Sequence, residues 1–195
     1  MISDFSTIKH HFRSKNCAKT ISTFLFLVNL ENKYSKNRMR LTLLVVGKTD
    51  DKYLQDGIAR YKKRLEHYID FRLEIIPDIK KGKNPDTNLQ KIREGELILA
   101  KQGPAKELHL FDEKGKQLSS RQFAGFLQKK MASGIKELVF VIGGPYGFSD
   151  EVYKQARSKI SLSKMTFPHQ LARLLCMEQF YRAFTLLKGE SYHHD

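Results

Sequence analysis

Three stretches of this chain carry residue types that could do chemistry. The first is Leu138-Val139-Phe140-Val141-Ile142-Gly143-Gly144-Pro145-Tyr146-Gly147, five apolar residues that break into glycine and proline. A short apolar run closed by turn residues reads as a strand buried on both faces, as inside a parallel sheet. Backbone without Cβ approaches a ligand closely, and ligands collect where strand carboxyl ends meet glycine-rich loops. Gly143 and Gly144 therefore point to a bound small molecule, with a plain tight turn as the structural alternative. The second stretch, Ile160 to His169, mixes hydroxyls with apolar groups. It is either a strand followed by a helix cap or a binding wall whose backbone meets an adenine edge. The third is the end of the chain, Ser191-Tyr192-His193-His194-Asp195. Tyrosine and histidine supply stacking, hydrogen bonding and proton transfer to a nucleobase. Two adjacent histidines without a third spaced ligand make a poor metal site, so no metal is expected.

Other motifs weaken on inspection. Val46-Gly47-Lys48-Thr49 mimics the tail of a phosphate-binding loop, but Thr42 stands where that loop needs a glycine. The Gly143–Gly147 turn is spaced wrongly for a dinucleotide fingerprint and follows the fourth strand, not the first. Near the end, Glu178 precedes Arg182 by four residues, a pairing distance on one helical face, with Arg173 upstream.

The elements that must position these residues alternate. Strands are expected at Leu41–Val46, Phe71–Ile76, Glu107–Phe111 and Leu138–Ile142, with a weaker fifth within Ile160–Phe167. Helices are expected at Asp51–Tyr68, where Tyr53, Leu54, Ile58, Tyr61 and Leu65 keep helical spacing, and at Thr87–Lys101, Ser119–Ser133 and Asp150–Ser158. A last helix opens at Pro168 or His169 and runs to about Leu187. Ile79–Asp86 reads as a basic loop, and Asp112–Lys116 as a turn. Strand and helix in succession make this an α/β protein, a parallel sheet with helices on both faces.

Composition narrows the partner. The chain has 195 residues, 41% hydrophobic and 29% charged, and suits one domain with a tail. No run reaches the roughly 18 apolar residues that span a bilayer, so no membrane role is expected. The two cysteines, Cys17 and Cys176, form no disulfide framework, which favours a reducing, cytoplasmic compartment. The net charge of +14 favours a polyanion, most often nucleic acid. Residues 1–38 carry +5 of it. Ile21–Leu30 there superficially resembles a signal peptide but lacks a small-residue cleavage site. Met39 is followed at once by a strand-like start, so residues 1–38 are expected to be upstream sequence and 39–195 the domain.

The order of the motifs is more specific than any of them alone. Ile142-Gly143-Gly144-Pro145-Tyr146-Gly147, then Ile160–Thr166, Pro168-His169-Gln170-Leu171-Ala172-Arg173, Glu178-Gln179-Phe180-Tyr181-Arg182-Ala183 and Tyr192-His193 together resemble the ribosomal RNA large subunit methyltransferase H family of the SPOUT class. The resemblance covers Met39 to Asp195. It implies a C-terminal trefoil knot, which no pattern argument would produce. It implies S-adenosyl-L-methionine as cofactor, held by Phe111, Gly143, Gly144, Leu162, Ser163, Lys164, Met165, Thr166 and Phe167. It implies a homodimer that methylates N3 of a pseudouridine in 23S ribosomal RNA, within the assembled ribosome. Tyr192, His193 and His194 are then the catalytic candidates, with His193 as general base or orienting group, Tyr192 positioning the nucleobase and His194 contacting RNA, completing a site across the dimer interface. Where the family carries Arg or Lys after Tyr-His, this chain has His194, a residue that titrates near neutrality. Lys80, Lys81, Lys83, Arg173 and Arg182 are the RNA-binding candidates. The rival functions are a ribosome-associated RNA-binding protein without catalysis and a SPOUT enzyme methylating ribose 2′-oxygen.

Overall fold

The structure, a computed structural model, describes residues 39–79 and 86–192. Five strands alternate with five helices: β1 (Arg40–Val46), α1 (Lys52–Leu65), β2 (Asp70–Ile76), α2 (Thr87–Leu99), β3 (Lys106–Gln117), α3 (Ser120–Ala132), β4 (Glu137–Ile142), α4 (Asp150–Gln155), β5 (Ser158–Ser161) and α5 (His169–Lys188). The sheet runs β2-β1-β4-β3-β5, and every pairing is parallel. The α/β expectation holds. None of the helices among the described residues is long and apolar enough to cross a membrane.

Period-two alternation divides the core into two layers. On one face Leu41, Leu43 and Phe140 pack against Ile58 of α1, Phe123 and Leu127 of α3, and Met177 and Phe180 of α5. On the other, Leu44, Val46, Val139 and Val141 meet Ile98 of α2 and Val152 of α4. The central strand β4 is buried along its whole length, as its unbroken apolar run requires. Local chemistry sets the helix ends. Asp86 accepts from the Asn88 and Leu89 amides at the start of α2, and Ser119 and Gln122 form a reciprocal capping box at α3. Gly189, left-handed at φ +69°, closes α5.

Two expectations are corrected. Asp112–Lys116 is not a turn: β3 runs on to Gln117, with a bulge between Phe111 and Lys116 where it pairs with β5. Gly115 serves close approach there, since a Cβ would lie 2.6 Å from the Ile160 backbone. The fifth strand is only Ser158–Ser161, and residues 162–168 form an irregular connection to α5. Residues 1–38, the segment bearing Lys80, Lys81 and Lys83 that is expected to be a basic loop, and His193 and His194 lie outside the described residues.

Candidate active site

β4 delivers the chain to Gly143 at the carboxyl edge of the sheet, where the backbone turns sharply. The Gly147 amide donates to the Gly144 carbonyl at 3.2 Å, and Gly147 sits at φ +78°. A Cβ on Gly143 would meet the Phe148 ring at 3.0 Å, and one on Gly144 would meet the Glu94 carboxylate at 2.6 Å. The turn is thus tight, and it also forms one wall of a cavity of about 410 Å³. That volume falls in the range of small-molecule sites.

The rest of the cavity comes from distant parts of the chain. Phe111 and Ile142 contribute from the ends of β3 and β4, and Asp112, Glu113 and Lys114 from the bulge that follows Phe111. Leu162, Ser163, Met165, Thr166 and Phe167 form the facing wall, with His169 and Ala172 of α5. Short hydrogen bonds shape that wall: Ser161 Oγ donates to the Ser163 carbonyl at 2.7 Å, and the Met165 amide donates to Ser163 Oγ at 2.9 Å. Tyr153 Oη donates to Asp112 Oδ2 at 2.6 Å, and the Lys114 amide to Asp112 Oδ1 at 2.8 Å, which holds that carboxylate in place. Burial, reinforced by Asp112, pushes the Tyr153 phenol well above its ordinary range.

The sequence candidates for a cofactor wall therefore meet. Phe111, Gly143, Gly144, Leu162, Ser163, Met165, Thr166 and Phe167 all line this cavity, whereas the Lys164 side chain is exposed and does not. Sequence reasoning missed Asp112, Glu113, Lys114, Tyr153 and His169. The composition Asp-Glu-Lys-Gly-Lys reads as a turn, which hid the first three. The wall chemistry suits S-adenosylmethionine. Phe111, Ile142, Leu162 and Phe167 offer apolar surface for a purine, the irregular segment offers backbone outside any helix or strand, and Asp112 and Glu113 place carboxylates in the wall, which suits a cationic ligand.

Other candidates lie elsewhere. Arg173 is corrected: it is 1% exposed and has no open face for an RNA phosphate. Its Nη2 donates to the Val46 carbonyl at 2.6 Å and its Nη1 to Thr49 Oγ1 at 2.8 Å, while Nε has no partner among the described residues. Gln170 adds a second tie, accepting from the Asp50 amide at 2.8 Å and donating to Asp50 Oδ2 at 3.1 Å. The first turns of α5 are thereby fastened to the β1–α1 connection. Arg182 pairs with Glu178 at 2.6 Å, the expected helical ion pair. Tyr192 does not line the cavity of its own chain. It packs on Tyr181 with ring centroids 4.8 Å apart, meets Tyr61 Oη at 3.3 Å, and lies under the Arg182 guanidinium at 5.0 Å.

Residues 39–193 match a family model described as a predicted SPOUT methyltransferase. Among curated relatives, ribosomal RNA large subunit methyltransferase H of Christiangramia forsetii is 59% identical over 156 residues, 80% of this chain and 99% of that protein. The protein of the same name from Flavobacterium psychrophilum is 60% identical with the same coverage. That of Parabacteroides distasonis is 56% identical over 80% of this chain and 100% of its own length. A match across the whole described domain, with relatives more than half identical along their entire length, means that this chain belongs to the SPOUT methyltransferase family.

Proposed function

We propose that this chain transfers a methyl group from S-adenosylmethionine to N3 of a pseudouridine in large-subunit ribosomal RNA. The observation that carries the reading is one cavity in which the end of β3, the glycine turn and the segment after β5 converge. The relatives' shared name, ribosomal RNA large subunit methyltransferase H, supports large-subunit ribosomal RNA as the substrate.

When bound, the cofactor supplies a methyl group already activated on a sulfonium, so the reading needs no metal. The protein's work is alignment and removal of the acceptor proton. Phe111, Ile142, Leu162 and Phe167 exclude water, Gly143 and Gly144 let backbone approach the ligand, and Asp112 and Glu113 complement its charge. The trefoil knot belongs to this reading, supported by the ties that fasten α5 beneath the end of β1.

The chain acts as a homodimer in the cytoplasm, on the assembled ribosome. Tyr192 stands apart from its own cavity, which supports a tail (Tyr192, His193, His194) that reaches the partner's site. His193 orients the acceptor ring there, and His194 contacts RNA. Lys80, Lys81, Lys83 and Arg182 meet RNA phosphates, in keeping with the net charge of +14.

Mass spectrometry of ribosomal RNA nucleosides from cells lacking and regaining the gene tests the reading. N3-methylpseudouridine should vanish and return; no change would refute it. Titration with S-adenosylmethionine separates the non-catalytic alternative, which predicts no heat of binding.

A further inference from the structure

The reaction leaves one role open: which group takes the proton from the acceptor nitrogen. A ring imide N–H is a weak acid, and its removal near neutral pH calls for a general base within reach of the cofactor site, a role that histidine fills most often. Among the described residues that line the cavity, His169 is the only histidine. Asp112 is occupied by the Lys114 amide and the Tyr153 hydroxyl, and Tyr153 holds its proton far above neutrality.

His169 stands differently. It is the first residue of α5, two residues beyond Phe167 of the cavity wall, and its side chain is accessible. Its ring nitrogens make no hydrogen bond within the described residues, unlike those of His109, which are both engaged. Arg173 lies one turn below on the same helix, buried and anchored to Val46 and Thr49, and so fixes the helix start. Partial burial and then the Arg173 charge lower the His169 pKa, against Asp78, Asp50 and Glu94, which raise it. The imidazole is therefore neutral at physiological pH.

The geometry points to His169 as the proton acceptor of the methyl transfer. The acceptor N–H bond breaks and its proton passes to the imidazole. The nitrogen electron pair forms the N–CH₃ bond, and the S–CH₃ pair stays on sulfur as a neutral thioether. This inference rests on the methyltransferase reading above, and it leaves the tail histidines to orient the RNA.

The test compares wild type with His169→Asn, which keeps a polar side chain but cannot take the proton. S-adenosylmethionine affinity by calorimetry should stay within about threefold, while single-turnover methylation of the ribosomal substrate falls at least ~100-fold with an unchanged KM. The wild-type rate should rise with pH through the His169 titration, and that limb should disappear in the variant. An independent readout needs no catalysis: the His169 imidazole resonance of wild type should titrate below the ordinary histidine range of about 6.5, and should shift when S-adenosylhomocysteine is added. A variant that binds cofactor and keeps more than a tenth of the rate would overturn the inference, as would a His169 resonance unmoved by ligand. Failure of wild type itself to bind cofactor or methylate would instead refute the parent reading.

Discussion

Arg173 donates from Nη2 to the Val46 carbonyl at 2.6 Å, which joins the first turns of the last helix to the end of the first strand across 127 positions of sequence. Burying a charge without partners is costly, and at 1% exposure two of the three guanidinium nitrogens, Nη1 and Nη2, are engaged while Nε has no partner among the described residues.

Arg173→Ala should therefore destabilise the fold by about 3 kcal/mol, since the Val46 carbonyl and Thr49 hydroxyl lose their donor together. Arg173→Lys should recover part of this, because a single ammonium cannot reproduce the two-pronged contact. Urea denaturation checks both. A loss confined to RNA affinity, with stability unchanged, would return Arg173 to the RNA surface.

Gly144→Ala places a Cβ 2.6 Å from the Glu94 carboxylate, itself 3% exposed and bound to Gln90 at 2.7 Å. Either the Glu94 carboxylate or the turn must shift to accommodate it. S-adenosylmethionine affinity should fall roughly tenfold, about 1.4 kcal/mol. The double substitution Gly144→Ala with Glu94→Ala should bind more tightly than Gly144→Ala alone. Calorimetry on both variants decides it.

His109 is buried in β3 between Phe126 and Phe140, with Ser158 Oγ at 2.7 Å from Nδ1 and Glu107 at 3.2 Å from Nε2. Burial first, then the charges of Lys130 and Arg157, push its pKa down to about 4, against the opposing pull of Glu107. The unfolded chain takes up this proton near the ordinary value of about 6.5, before the native state does. The stabilisation is thus full above about pH 6.5 and is lost as pH falls towards 4, by roughly 3 kcal/mol. Thermal melts at pH 7 and pH 4.5 should differ more for wild type than for His109→Gln.

Charge reversal at Lys80, Lys81 and Lys83 should act on RNA and not on cofactor. Replacing Lys80, Lys81 and Lys83 by glutamate should weaken RNA binding and flatten its salt dependence. The log–log slope should fall by up to about 0.7 for each phosphate no longer neutralised, as for single strands. Affinity for S-adenosylmethionine should not change. A salt slope equal to that of wild type would remove these lysines from the interface.

Much of this arrangement is legible along the chain. The unbroken run Leu138–Ile142 marks the buried central strand, and the period of α1 places Leu54, Ile58 and Leu65 inside. The order of the C-terminal motifs marks a wall that the structure assembles from Leu162 to Phe167. The misreadings have a common origin. Asp112–Lys116 has turn-like composition, yet the neighbouring strand β5 draws it into the sheet, and Gly115 permits that approach. Arg173 looks like a surface cation because helical spacing does not reveal which neighbour will cover it.

The sequence by itself determined the alternation of strands and helices, the glycine break after β4 and the basic character of the chain, because these depend on period, backbone freedom and charge. The tertiary structure alone decided which residues share a cavity. It brought Asp112, Gly143, Thr166 and His169 to one place, and it turned Arg173 inward beneath the end of β1. It set Tyr192 against Tyr61 and Tyr181, apart from its own chain's cavity. The reason is physical: proximity between residues far apart in sequence arises from how layers pack and where connections cross, and no local propensity encodes that.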